Sequence, residues 1–202
     1  MIVELYGLPG VGKSTLAEAL AKHDGIAHVT LTGKWSILSN FLWFFVRFPR
    51  TLWRGFCLIR RYDRSRFAFW NFFVVRYATF AAAARRSGKE MVAVIDEGPL
   101  QNLLSLSVPG DEESLAELVR NMPAADHYLM LEAKEEVRLA RLEKRRKRLR
   151  PQLDEASHAA WQEEMRERFT KSTAIIKKLR SAIVVTPETD RQALITQLCT
   201  EY

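Results

Sequence analysis

The chain has 202 residues, 48% of them hydrophobic, and no Gly/Ser/Pro-rich linker, which suits a single domain over 1–202 with an ample core. Cys57 and Cys199 alone exclude a disulfide framework, and His23, His28, His127 and His158 lack the paired spacing of a zinc site and read as surface or packing residues. The net charge of +7 is unevenly placed: nine cations meet Asp63 alone between Lys34 and Phe80, and nine meet three glutamates between Lys134 and Arg150, on an otherwise acidic body. Such a distribution points to a specific anionic partner rather than to diffuse nucleic-acid affinity.

The apolar run Ile2-Val3-Glu4-Leu5-Tyr6 predicts a first strand. A strand at the second residue leaves no room for a leader, so the expected compartment is the cytosol, with peripheral attachment to a membrane as a further option. Directly after it, Gly7-Leu8-Pro9-Gly10-Val11-Gly12-Lys13-Ser14 spells the G-x-x-x-x-G-K-[ST] phosphate-binding loop. The glycines let the backbone wrap a polyphosphate with its N–H groups inward, Lys13 brings a point charge to the terminal phosphates, and the Ser14 hydroxyl is the expected Mg²⁺ ligand. Thr15 continues the loop into a helix reaching Leu20. ATP and Mg²⁺ are therefore the expected ligands.

Ile26 to Leu31 predicts a short second strand, and a long helical stretch follows from Trp35 to Ser87, broken at Pro49. That stretch carries Trp35, Phe41, Trp43, Phe44, Phe45, Phe48, Trp53, Phe56, Phe67, Phe69, Trp70, Phe72 and Phe73 with arginines interleaved. Much of this must be core, and the rest makes an aromatic and basic surface. Arg47, Arg50, Arg54, Arg60 and Arg61 flank or follow Pro49 and are nominated for a mouth near Asp96. The uncharged run from Trp35 to Val46 is too short to span a bilayer.

Met91 to Ile95 is a continuous apolar run of the kind a buried parallel strand needs, and it ends in Asp96-Glu97-Gly98-Pro99. Acidic residues at such a strand end hold Mg²⁺ or orient the attacking group. Asp96 is expected as metal ligand or base and Glu97 as the alternative base. Helices are predicted at Leu100 to Leu106 and Glu112 to Asn121, a strand at His127 to Leu131, helices at Lys134 to Leu149 and Asp154 to Leu179 separated by Pro151, a strand at Ala182 to Val185, and a closing helix from Thr189 to Cys199. Strands alternating with helices imply a parallel sheet covered on both faces. Arg138, Arg141, Arg145 and Arg148 fall on one helical stripe, which faces either a transferring phosphoryl group or solvent.

The phosphate loop, the strand-end acid and this basic segment resemble the thymidylate kinase and deoxynucleoside kinase branch of the P-loop kinases. Tyr128 to Val137 resembles the last-but-one strand and its helix, Arg141-Leu142-Glu143-Lys144-Arg145 the start of the lid, and Met165-Arg166-Glu167-Arg168-Phe169 the segment after it. The resemblance implies an α/β P-loop NTPase fold in three layers, with a five-stranded parallel sheet in the order 2-3-1-4-5 and a helical lid over 138–155. It also implies that Arg141 and Arg145 contact the donor nucleotide or the transferred phosphate, and that residues 35–87 form the helical acceptor-binding region. Where that branch follows its strand-end acid with arginine, this chain has Glu97, and Thr30 to Trp35 lacks the branch's R-E-P-G or E-P-V signature. The expected activity is an ATP-dependent phosphotransfer to a small-molecule acceptor, a nucleoside or nucleoside monophosphate, with a sugar or lipid-linked anionic acceptor at a membrane as the alternative. A regulatory NTP-binding module is a third reading. Expected partners are ATP and the acceptor, with an anionic membrane surface and a second copy of the chain as further candidates and no specific nucleic acid.

Overall fold

The computed structural model describes residues 1–88, 91–106, 111–144 and 154–200, the side chains of 155 and 158 apart. Strand β1 (Ile2–Tyr6) is buried along its whole length, which its near-continuous apolar sequence requires of a central parallel strand. It pairs on one side with β3 (Val92–Ile95), Val3 opposite Val94, and on the other with β4 (His127–Leu131), Leu5 opposite Leu129. β2 (Ile26–His28) and β5 (Ala182–Val185) are the edges, and the parallel order is β2-β3-β1-β4-β5, as the resemblance implies.

That order fixes the layers. The step from β1 to β2 runs one way across the sheet and carries α1 (Lys13–Leu20), whereas the steps to β3, β4 and β5 run the other way. With right-handed crossovers, α1 lies on one face, and the helices of the later crossovers lie on the opposite one. These include α5 (Arg76–Ser87), α7 (Glu112–Asn121) and α9 (Glu155–Leu179), and α5 packs on β3 and β1 while α7 packs on α9. Asp111 and Asp154 cap α7 and α9, each accepting a hydrogen bond from a serine N–H three residues on.

The helical stretch after β2 departs from expectation. The predicted break at Pro49 is present, separating α2 (Lys34–Arg47) from α3 (Pro49–Tyr62) with Phe48 at the junction. A second break follows at Asp63, where the Asp63 carboxylate accepts from Ser65 N–H and the Ser65 hydroxyl caps α4 (Arg66–Ala68). Short polar side chains compete for backbone groups in this way, so the apolar periodicity on either side hid the interruption. The chain then runs through a π-helical segment (Phe69–Val75) into α5. β2 also ends three residues earlier than expected, although Val29 N–H still bonds to the Val94 carbonyl.

Pro99–Gln101 forms a 3-10 turn and Asn102–Ser105 the short helix α6. α8 (Glu135–Glu143) is the described part of the expected lid helix; Arg145, Arg148 and the rest of the lid-like segment up to 153 lie outside the described residues. α10 (Arg191–Thr200) closes the chain, with the Asp190 carboxylate accepting from Gln192 N–H at its start.

Candidate active site

The phosphate loop connects β1 to α1, and its curvature rests on two glycines in the left-handed region, Gly10 at φ 90° and Gly12 at φ 104°. Gly12 is also the residue on which α1 starts, so the positive end of that helix opens at the loop. Several loop carbonyls accept from side chains: Arg138 Nη1 donates to the Pro9 carbonyl at 3.3 Å, Arg141 Nη1 to Val11 at 3.0 Å, and Gln101 Nε2 to Gly7 at 3.1 Å. Carbonyls already paired in this way present less negative charge to an incoming anion. Lys13 Nζ lies back on the loop, donating to Gly7 O at 2.7 Å and Leu8 O at 3.3 Å.

Asp96 stands at the end of β3, and its Oδ2 accepts from the Ser14 hydroxyl at 2.7 Å. His28, at the end of the neighbouring β2, brings Nε2 within 3.3 Å of Asp96 Oδ1 without hydrogen-bond geometry. Sequence reading assigned His28 to packing or surface. The signal that places it is topological, because the carboxyl ends of adjacent parallel strands converge on one rim. The Ser14 hydroxyl and Asp96 carboxylate suit Mg²⁺, which takes few protein oxygens and completes its shell with phosphates and water. Among the described residues there is no group of three His, Cys, Asp or Glu side chains that would suit a metal held by protein alone.

Gly12, Lys13, Ser14 and Thr15 line a cavity of about 680 Å³, the size of a small-molecule site. Pro9 and Gly10 join them, Gly7, Leu8 and Val11 being buried, and the lining also includes Glu97, Arg76, Phe67, Phe72, Gln101, Trp161 and Met165. Asp96 lines a smaller adjoining cavity of about 280 Å³, which shares Glu97 and Arg76 with the first. The two acids therefore have different outlooks: Asp96 is half-buried against Ser14, and Glu97 is exposed to both cavities.

Arg76 is buried to 8% exposure. Its Nη2 reaches the Ser105 hydroxyl at 3.2 Å, its guanidinium lies 5.2 Å from the Phe72 ring centre, and Nη1 has no hydrogen-bond partner. Burial lowers its pKa, and the nearby carboxylates of Glu97 and Glu4 oppose that. Glu4 sits inside β1 with no exposure, accepting from Leu100 N–H at 2.8 Å. Burial pushes its carboxyl up to about 8, so at neutral pH it is mostly protonated and leaves the Arg76 charge largely uncompensated from that side. Gly98 is required here for room, because a Cβ at that position would run into the Glu4 carboxyl.

Two expectations about arginines are corrected. The nominated Arg47, Arg50, Arg54, Arg60 and Arg61 do not line either cavity beside Asp96; Arg76, from the next helix, does. The reason is the break at Asp63, which ends α3 and lets α5 turn its first residue inward. Arg138 does not face a phosphoryl group either. It is buried, clamped by Glu135 with both bonds at 2.6 Å, and holds the loop from outside. Exposed Arg141 lies on the loop backbone, and Arg145 is outside the described residues.

No family model and no curated protein matches the sequence. Among solved structures, the chain resembles deoxyadenosine kinase from M. mycoides with bound dATP at a TM-score of 0.52 and 12% identity, over 100% of this chain and 98% of that one. The same enzyme with products dCMP and dCDP aligns at 0.47 and 12% identity, and with dCTP at 0.46 and 14%, over the same shares. Five parallel strands in this order, a phosphate loop after the first and an acid after the third give the chain the fold of a deoxynucleoside kinase-like P-loop kinase.

Proposed function

We propose that the protein transfers the γ-phosphoryl group of ATP to a small-molecule acceptor, either a hydroxyl of a nucleoside or a phosphate oxygen of a nucleoside monophosphate. The observation that carries this reading is one cavity lined by Gly12, Lys13, Ser14 and Thr15 together with Glu97 and Arg76, phosphate-binding groups joined by an acid and a cation. Donor phosphates lie against the loop N–H groups and the start of α1, with Lys13 moving from the loop carbonyls to the β and γ phosphates. Ser14 and Asp96 would hold Mg²⁺, which would supply positive charge against the negative charge of the transferred group. Because Asp96 is engaged by Ser14, Glu97 is the carboxylate left to take the proton of the acceptor hydroxyl as its oxygen bonds to phosphorus and the bond to the ADP oxygen breaks. Phe67 and Phe72 offer ring faces for a flat base, and the partnerless Nη1 of Arg76 offers a donor to a carbonyl or phosphate oxygen of the acceptor. One solved structure that shares this fold is of a deoxyadenosine kinase, which supports a nucleoside as the acceptor.

The test is a panel of nucleosides and nucleoside monophosphates offered with labelled ATP and Mg²⁺. Label should reach one class of acceptor. Glu97→Gln should lower kcat by about a hundredfold or more with ATP binding unchanged, the scale of a positioned general base, while Asp96→Asn should also raise the Mg²⁺ concentration needed. Label reaching none of the panel from folded protein that binds ATP would overturn the acceptor assignment, and full activity in Glu97→Gln would overturn its role.

A further inference from the structure

The α2–α3 segment exposes more apolar surface than its place in the fold requires. On α2, Trp35 is 83% exposed, Val46 79%, Phe45 54% and Leu42 52%, with Leu38 beside them. At 100° per residue these five positions fall within about 100° of the helix circumference with no other α2 residue among them, and the opposite side buries Asn40 and Phe44. On α3 the outward arc is different: Trp53 and Cys57 stand among Arg50, Arg54, Arg60 and Arg61, all exposed. Arg61 pairs with Glu117 and Arg60 donates to the Arg64 carbonyl, while Arg50 and Arg54 have no carboxylate partner among the described residues. One helix thus presents an apolar stripe and the next a basic one, joined through Phe48.

Between α2, α3 and the start of β1 lies a cavity of about 440 Å³. Phe44 and Phe48 form its apolar side, and Arg54, Arg120 and Arg180 line it with no acidic residue among the lining groups. Apolar walls and unopposed guanidinium groups suit a phosphate attached to a hydrocarbon.

We propose that the α2–α3 face docks on an anionic phospholipid bilayer, Trp35, Leu42, Phe45 and Val46 entering the interface and Arg50 and Arg54 holding lipid phosphates. A second copy of the chain suits this face less well, because a two-fold contact would bring the basic stripe of one protomer against its own equivalent. Insertion across the bilayer is a different matter. The described run long and apolar enough for that, Arg66–Ser87, has 67% of its most apolar window buried inside the fold and serves as core.

Flotation with phosphatidylcholine vesicles containing about one-quarter phosphatidylglycerol, and with phosphatidylcholine alone, tests this at about 50 mM and about 500 mM salt. The wild-type protein should float with the anionic vesicles at low salt, bind the neutral ones at least about tenfold less, and lose at least about tenfold of its binding at high salt, since each arginine near such a surface contributes about fivefold. Two variants divide the face: Arg50→Glu with Arg54→Glu removes the charge, and Leu42→Ser with Phe45→Ser removes apolar area, with melting temperature as the folding control. Each should reduce anionic-vesicle binding by about tenfold or more; if the serine variant is misfolded, Trp35→Ser takes its place. No binding of the wild type at low salt, or binding unchanged in the charge variant, overturns the proposal. A wild-type dimer that the serine variant splits, without vesicle binding, assigns the face to a second copy and overturns it as well.

Discussion

At the scale of single residues, Glu4 is the position where chemistry and burial conflict most directly. The sequence shows it as an interruption in an apolar run, and nothing in the run's spacing tells that its carboxyl lies under the turn at Gly98 and accepts from Leu100 N–H. Its pKa rises from an ordinary 4.5 to about 8, so the folded state holds a proton that the unfolded chain has lost across this range. Stability is therefore fully present below about pH 4.5 and falls as pH climbs through about 8, by up to about 1.4 kcal/mol per unit. Glu4→Gln keeps an acceptor for Leu100 and removes the proton, so the variant should be the more stable protein at pH 8 to 9, with a flatter profile of melting temperature against pH. Parallel profiles for the two proteins would show that the carboxyl is not raised. His28 escaped sequence reading for a related reason: its meaning comes from Asp96 on the neighbouring strand, and pairing between strands is not written in either segment alone.

At the scale of elements, the helical stretch from Lys34 to Ser87 shows what periodicity conveys and what it conceals. Its helical character and the break at Pro49 are legible, because proline at the first helical position has a fixed meaning. The π-helical segment Phe69–Val75 is not, because a run as apolar as Phe-Trp-Asn-Phe-Phe-Val-Val has no polar face against which a change of period would show. That segment decides the site, since it sets the direction in which Phe72 and Arg76 leave the helix. Packing between elements gives a sharper test. Gly55 on α3 lies so close to Tyr77 on α5 that a Cβ would overlap the phenol hydroxyl, and that hydroxyl is buried without a partner. Gly55→Ala should cost roughly 1–3 kcal/mol, the range for an overpacked core. Tyr77→Phe alone should be neutral or mildly stabilising, and the double variant should recover part of the loss, which a double-mutant cycle by denaturant melts would measure. Additive losses would show that the two residues do not meet.

For the whole molecule, the alternation of strand and helix made the fold legible from sequence, because apolar strands such as β4, set between Asp126 and Glu132, are bounded by charge and each crossover is long enough for a helix. The rest of the main cavity was less legible than the phosphate loop, since much of its lining comes from α5, α6 and α9, brought together only by folding: Trp161 and Met165 reach the same cavity as Lys13. Ligand binding should then stabilise the molecule as a unit. ATP with Mg²⁺ at a hundredfold excess over its Kd should add about 2.7 kcal/mol, a rise in melting temperature of roughly 5–10 °C for a chain of this size. Lys13→Ala should abolish most of that rise, and an unchanged rise in that variant would place ATP elsewhere.

The arginine bonds on the loop carbonyls also bear on how the protein is made. Pro9 and Arg138 are 129 positions apart, and Val11 and Arg141 are 130 apart. A ribosome releases the complete phosphate-loop motif long before it adds the helix that shapes it, and domains of this kind settle as units once their distant parts are present. The newborn chain therefore carries the motif before the arginines that hold its carbonyls exist, and those bonds form only when synthesis has passed α8.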